Sequence, residues 1–98
     1  MKTPLYRVLF TKEAKKNIGK LDPSTVKFVR KAIQSLSANP VRGKPLAYDL
    51  AGLRSLRTSD YRVIYRLKER ELLVIVVVLG HRREIYKKLK ELLSGLSG

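Results

Sequence analysis

Residues 53–66 read Leu-Arg-Ser-Leu-Arg-Thr-Ser-Asp-Tyr-Arg-Val-Ile-Tyr-Arg, and after a charged turn residues 72–79 run apolar without a break into Gly80-His81-Arg82-Arg83-Glu84-Ile85-Tyr86. Short runs rich in Val, Ile, Leu and Tyr, separated by Thr58-Ser59-Asp60 and by Lys68-Glu69-Arg70, predict three consecutive antiparallel strands. The run 72–79 has no polar face, so it fits a central strand covered on both sides. In 61–66 the period of two sends Tyr61, Val63 and Tyr65 to one face and Arg62, Ile64 and Arg66 to the other. With the turn centred on Ser59 and Asp60, Arg57 stands directly across from Arg62. Like charges so placed weaken a sheet, which points to an anion between them or to arginine stems laid over the sheet.

Working outward, Tyr6-Arg7-Val8-Leu9-Phe10 predicts a first strand, with Thr11 as the N-cap of a helix. Ala14, Ile18 and Leu21 recur at helical spacing while Lys12, Lys15, Lys16 and Lys20 face outward. Asp22-Pro23 supplies a cap and a first-turn proline for a second helix, whose stripe is Val26, Val29, Ile33 and Leu36 and whose end is Asn39-Pro40. Residues 40–49 form a loop of about ten residues, longer than most connections and therefore a candidate functional segment, with Arg42 and Lys44 on it. Ile85, Leu89 and Leu92 mark a terminal helix that leaves Lys87, Lys88 and Lys90 exposed. Residues 94–98 have neither period nor apolar mass, so the expected division is one domain over 1–93 and a flexible tail over 94–98.

The order β-α-α-β-β-β-α describes an α+β domain: an N-terminal strand and a helical hairpin packed on a small, mostly antiparallel sheet. The first strand can pair only with the meander, which places it beside the apolar run and makes that run interior.

At 98 residues the chain is long enough for one core. It has no cysteine and one histidine, so the sequence implies neither a disulfide framework nor a metal site, and no cofactor is expected. Lys and Arg number 22 against 8 Asp and Glu, a formal net charge of +14, which makes a polyanion the default partner, nucleic acid first. No apolar segment reaches the roughly 20 residues of a membrane span, and the N-terminus lacks a signal-peptide core. A cytoplasmic protein without a membrane partner is expected.

The helical hairpin after a first strand, Leu-Arg-Thr-Ser-Asp-Tyr-Arg-Val-Ile-Tyr at 56–65 and Gly-His-Arg-Arg-Glu-Ile-Tyr at 80–86 together resemble the RelE/ParE superfamily of toxins from toxin–antitoxin operons. The resemblance implies a messenger-RNA endonuclease that enters the ribosomal A site and cuts without metal. There the 2′-hydroxyl attacks the adjacent phosphate and leaves a 2′,3′-cyclic phosphate. By motif position Arg62 matches the strand arginine that holds the phosphate, Arg82 the second active-site arginine, and Tyr86 the C-terminal catalytic tyrosine. Guanidinium forks suit a phosphorane that gains negative charge. Family members carry two lysines on the strand before Tyr-Arg, where this chain has Leu53 and Ser55 with Arg54 between them. His81 is then the side chain whose unperturbed pKa suits a general base.

Arg54, Arg57, Lys44 and Arg42 are the expected RNA contacts. Arg54 and Arg57 face opposite sides of a regular strand, so only a bulge would bring both into one pocket. Three of the site candidates have a second reading: Arg62 as a snorkelling residue that covers the sheet, Tyr86 as a core ring in an amphipathic helix, and His81 as a cap of the last strand or an exposed residue. The superfamily also has a ParE branch that inhibits DNA gyrase without catalytic residues, and fold alone does not separate the branches. The +14 charge together with Arg62, His81, Arg82 and Tyr86 favours the nuclease. Ribosome and message are the expected partners, joined by an acidic, RelB-like antitoxin able to wrap the basic domain.

Overall fold

The computed structural model describes residues 5–97, apart from the side chains of Asp49 and residues 95–97. The strands are β1 (Arg7–Phe10), β2 (Lys44–Pro45), β3 (Leu53–Thr58), β4 (Tyr61–Lys68) and β5 (Leu73–His81). The helices are α1 (Lys12–Gly19), α2 (Pro23–Ala38) and α3 (Ile85–Ser97), with a 3-10 turn at Tyr48–Leu50. The five strands form one sheet in the order β1-β5-β4-β3-β2, parallel between β1 and β5 and antiparallel elsewhere.

The expected α+β order holds, with one addition. The loop after α2 contains β2, a strand of two residues on the outer edge of β3. Two residues are too few to show a period, and Pro45, which has no N–H to donate, is tolerated there because the strand is at the sheet's edge. α3 runs on to Ser97, past the end expected at Leu93, so most of the anticipated tail is helical, and Gly98 lies outside the described residues. No helix among the described residues is long and apolar enough to cross a membrane.

Caps fix the helical hairpin. The Thr11 hydroxyl accepts from the Ala14 N–H at 3.1 Å and donates to the Val77 carbonyl at 2.6 Å, so one side chain starts α1 and ties it to β5. Asp22 accepts from the Thr25 N–H at 2.9 Å, and that hydrogen bonding holds its carboxyl below the usual value. Where β1 ends, α1 takes over the edge of β5: the buried Asn17 accepts from the Leu79 N–H at 3.0 Å and donates to Glu13 at 2.8 Å.

The two sides of the sheet are covered differently. α1 and α2 close one side over Leu56, Val63, Tyr65, Val74, Val76 and Leu79. On the other side α3 covers Leu53, Ile64 and Val78 with Ile85 and Leu89. β5 lies between them as an interior strand covered on both sides, as its apolar run requires.

Its register is not continuous. Ile64 pairs with Val78 and Tyr65 with Val76, so Val77 is an extra residue, a bulge in β5. Every residue after it points to the opposite side from the one strict alternation assigns.

Candidate functional site

β3 and β4 pair in the anticipated register, Arg57 across from Arg62 and Ser55 across from Ile64. The rows Leu53, Ser55, Arg57 and Arg62, Ile64, Arg66 therefore share the α3 side, because directly paired residues project to one face. β2 adds Lys44 across from Ser55 on that same side. α3 covers only part of this face, and the uncovered part is a cleft of about 470 Å3. Its walls include Arg42, Lys44, Ser55, Arg57, Arg62 and Tyr86.

Tyr86 follows the buried Ile85 in the first turn of α3 and is 42% exposed, so its ring faces the cleft and not the core. Among the described residues none lining the cleft is acidic, and neither Lys44 nor Arg57 makes a side-chain hydrogen bond or ion pair. Arg62 Nη1 donates to the Tyr61 carbonyl at 3.0 Å and to the Ser59 carbonyl at 3.3 Å. Those neutral acceptors orient the guanidinium and leave its charge unbalanced. Four cations around one opening concentrate positive potential there, which suits an anionic group.

The loop that carries Arg42 and Lys44 is clamped from the other side of the sheet. The buried Tyr65 hydroxyl donates to the Pro40 carbonyl at 2.6 Å and accepts from the Gly43 N–H at 3.0 Å. A Cβ on Gly43 would lie 2.7 Å from the Tyr65 ring and hydroxyl and 3.0 Å from the Ser55 carbonyl, so only glycine fits this approach. Arg54 adds bonds to the Gly43 carbonyl at 3.0 Å and the Val41 carbonyl at 3.2 Å. Arg42 reaches back to the Ser35 hydroxyl at 2.5 Å.

The structure thus brings together Arg42, Lys44, Arg57, Arg62 and Tyr86, and separates three other candidates from them. Arg54 lies on the hairpin side with its guanidinium engaged by backbone carbonyls, since no bulge interrupts the β3–β4 pairing beside it. His81 is also on the hairpin side. It pairs with Tyr61, whose ring it meets edge-on at 5.8 Å, and Gly80 stands across from Arg62 instead. The bulge at Val77 is the reason: alternation without it would have sent His81 toward the cleft. His81 Nδ1 accepts from the Arg83 N–H at 3.3 Å.

Arg82 is not part of the cleft lining and is held at the β3–β4 turn. Its N–H donates to the Asp60 carbonyl at 2.6 Å and its Nε is 3.7 Å from the Asp60 carboxylate, an exposed pair. Among the described residues no three His, Asp or Glu side chains gather into a set able to hold a metal ion.

Sequence reasoning missed β2 and with it the placement of Lys44 across from Ser55. The signal was Gly43-Lys44-Pro45, which marks a tight approach and an edge but not a partner strand.

Among known proteins, residues 8–86 match the family described as the ParE toxin of the type II toxin–antitoxin system parDE. Toxin RelG of Mycobacterium tuberculosis is 38% identical over 85 residues, covering 85% of this chain and 98% of that toxin. Toxin RelE of the same organism is 34% identical over 87 residues, covering 84% of this chain and 87% of that one. The fold is similar to the RelBE2 toxin–antitoxin complex of Mycobacterium tuberculosis, with a TM-score of 0.76 and 34% identity over 82% of this chain and 94% of that one. It is also similar to the archaeal RelE–RelB complex from Pyrococcus horikoshii, with a TM-score of 0.66 and 25% identity over 80% of this chain and 96% of that one. A mixed sheet with a helical hairpin on one side, a terminal helix on the other and a basic cleft between sheet and helix accompanies these matches; the chain belongs to the ParE toxin family of type II toxin–antitoxin systems, within the RelE/ParE superfamily.

Proposed function

We propose that the protein is a ribosome-dependent endoribonuclease that cuts messenger RNA in the A site, using the cleft between β2–β4 and the first turn of α3. One observation carries this reading: Lys44, Arg57, Arg62 and Tyr86 line a single opening that no described acidic residue neutralises. In the reaction the 2′-oxygen attacks phosphorus, the 5′-oxygen leaves, and a 2′,3′-cyclic phosphate remains. The developing charge on the nonbridging oxygens is met by Arg62 and Arg57, whose forks match phosphate geometry. Arg82 joins them by turning from Asp60, because an exposed ion pair is worth little and exchanges readily. Tyr86 orients the nucleotide at the wall of the cleft.

An acidic antitoxin restrains this activity. The similar structures include RelB–RelE complexes, and a surface of net charge +14 favours fast, salt-sensitive association with an acidic chain. Such a chain would cover the Arg57, Arg62 and Arg82 region or displace α3.

The second reading, inhibition of DNA gyrase without chemistry, is favoured by the family description, which names ParE. Primer extension on messages from translating cells that express the protein separates the two. Cuts within codons, inside the translated region only, are the expected result. Intact messages with broken DNA would replace the nuclease reading with the gyrase one.

A further inference from the structure

Cleavage leaves an alkoxide on the 5′-oxygen, and a poor leaving group of that kind needs a proton from a positioned donor. The cleft offers few. Arg42, Arg57 and Arg62 hold their protons as guanidinium ions and do not release them in proteins. The Ser55 hydroxyl is a weak acid. His81 is turned to the hairpin side by the bulge in β5. Of the described residues lining the opening, only Lys44 and Tyr86 carry a proton that can be transferred.

Between these two the geometry of the supports decides. Tyr86 stands on the helical wall, whereas Lys44 rises from the edge strand of the sheet, in register with Ser55, which lies two residues from Arg57 on β3 and on the same side as the Arg57–Arg62 pair. The backbone on either side of Lys44 is held in place. Gly43 is bonded through its N–H to Tyr65 and through its carbonyl to Arg54, and Pro45 pairs with Arg54 on β3. A flexible side chain on a fixed base next to two phosphate-binding arginines is what proton delivery at a phosphate requires.

We infer that Lys44 is the general acid of the cleft, a catalytic residue reached across the strand from the position where the chain has Ser55. This rests on the nuclease reading above. The step balances as follows: the 2′-hydroxyl proton passes to solvent water, the 2′-oxygen bonds to phosphorus, the bond from phosphorus to the 5′-oxygen breaks, and the Lys44 ammonium gives its proton to that oxygen. Solvent then reprotonates the amine.

The experiment measures single-turnover cleavage on ribosomes programmed with a message carrying one scissile linkage in the A-site codon. The linkage is either the natural phosphodiester or a bridging 5′-phosphorothiolate, whose thiolate leaves without a proton. Lys44→Ala and Lys44→Arg should each slow cleavage of the natural linkage by about 10²-fold or more, the usual contribution of a general acid. Arginine keeps the charge, so a loss in Lys44→Arg separates proton donation from RNA attraction. On the phosphorothiolate both variants should recover to within a few-fold of the unsubstituted protein. Equal losses on the two linkages, or a Lys44→Arg rate equal to that of the unsubstituted protein, would overturn the inference and leave the nuclease reading intact. An unsubstituted protein that cuts neither linkage would overturn both.

Discussion

Arg54 and Arg57 are three positions apart on one strand, yet they occupy two different kinds of surface. On the hairpin side Arg54 is bonded to two backbone carbonyls, Tyr65 satisfies two more backbone groups, and no buried side-chain polar atom among the described residues lacks a partner. On the α3 side Arg57 faces Arg62 across the ladder, Lys44 is beside Ser55, and among the described residues the charges have no acidic partner in the cleft. The first surface is internally balanced, as stability demands, because an unpaired buried group costs about 1–3 kcal/mol. The second is left unbalanced, which is what the proposed anion site requires. The same residue type therefore has opposite meanings on the two sides, and substitutions on them should separate stability from activity.

The largest separation is expected at Arg62. Arg62→Ala should lower the single-turnover cleavage rate by about 10²-fold or more while the melting temperature stays near that of the unsubstituted protein. An unchanged rate in a well-folded variant would break the assignment of the α3 side as the reactive one.

Tyr65→Phe tests the hairpin side with a single atom. It leaves the Gly43 N–H and the Pro40 carbonyl without their partner, so chemical denaturation should report a loss of about 1–3 kcal/mol. Cleavage should weaken as well, since the clamp that seats Lys44 is loosened. Gly43→Ala attacks the same clamp from the other partner through overpacking, and should cost about the same.

The two arginines give the sharpest contrast at a smaller scale. Arg54→Ala should destabilise by about 1 kcal/mol through its lost carbonyl bonds. Arg57→Ala should leave stability unchanged or raise it by a few tenths of a kcal/mol, because a like-charge pair is relieved, while it slows cleavage. Paired melting and activity measurements on both variants would show whether the two surfaces exchange roles.

Tyr86→Phe keeps the exposed ring and removes only its hydroxyl. About a tenfold loss of cleavage, the size of one neutral hydrogen bond, is expected with no change in melting temperature.

The smallest effect lies away from both surfaces. Asp22 caps α2, and its carboxyl is held below the usual 3.8 by hydrogen bonds to Thr25. A depressed carboxyl pKa stabilises the fold above the unfolded-state value, and that contribution is lost as pH falls through the folded-state value. Asp22→Asn retains a capping oxygen but does not titrate, so its acid-induced unfolding should be less steep than that of the unsubstituted protein below about pH 3.8.

Much of this was legible in the chain itself. The apolar run 72–79 could be satisfied only inside the sheet, the capping pairs at Thr11 and Asp22 set the hairpin, and period-two alternation with the turn at Ser59 and Asp60 placed Arg57 opposite Arg62. These follow from local periodicity and from burial, which a sequence displays directly. The net charge of +14 was equally plain, and with it a preference for an anionic partner.

What only the tertiary structure decided is which polar side chains meet. An extra residue at Val77 inverts the last strand and carries His81 to the ring of Tyr61, and no pattern in a continuous apolar run marks where such a bulge falls. β2 is two residues long, its register is set by Tyr65 and Arg54 reaching through from the far side, and it puts Lys44 beside Ser55. Side-chain identity fixes what a residue can do, but one step of register fixes which face it does it on, and that step is determined by long-range contacts that local sequence does not record.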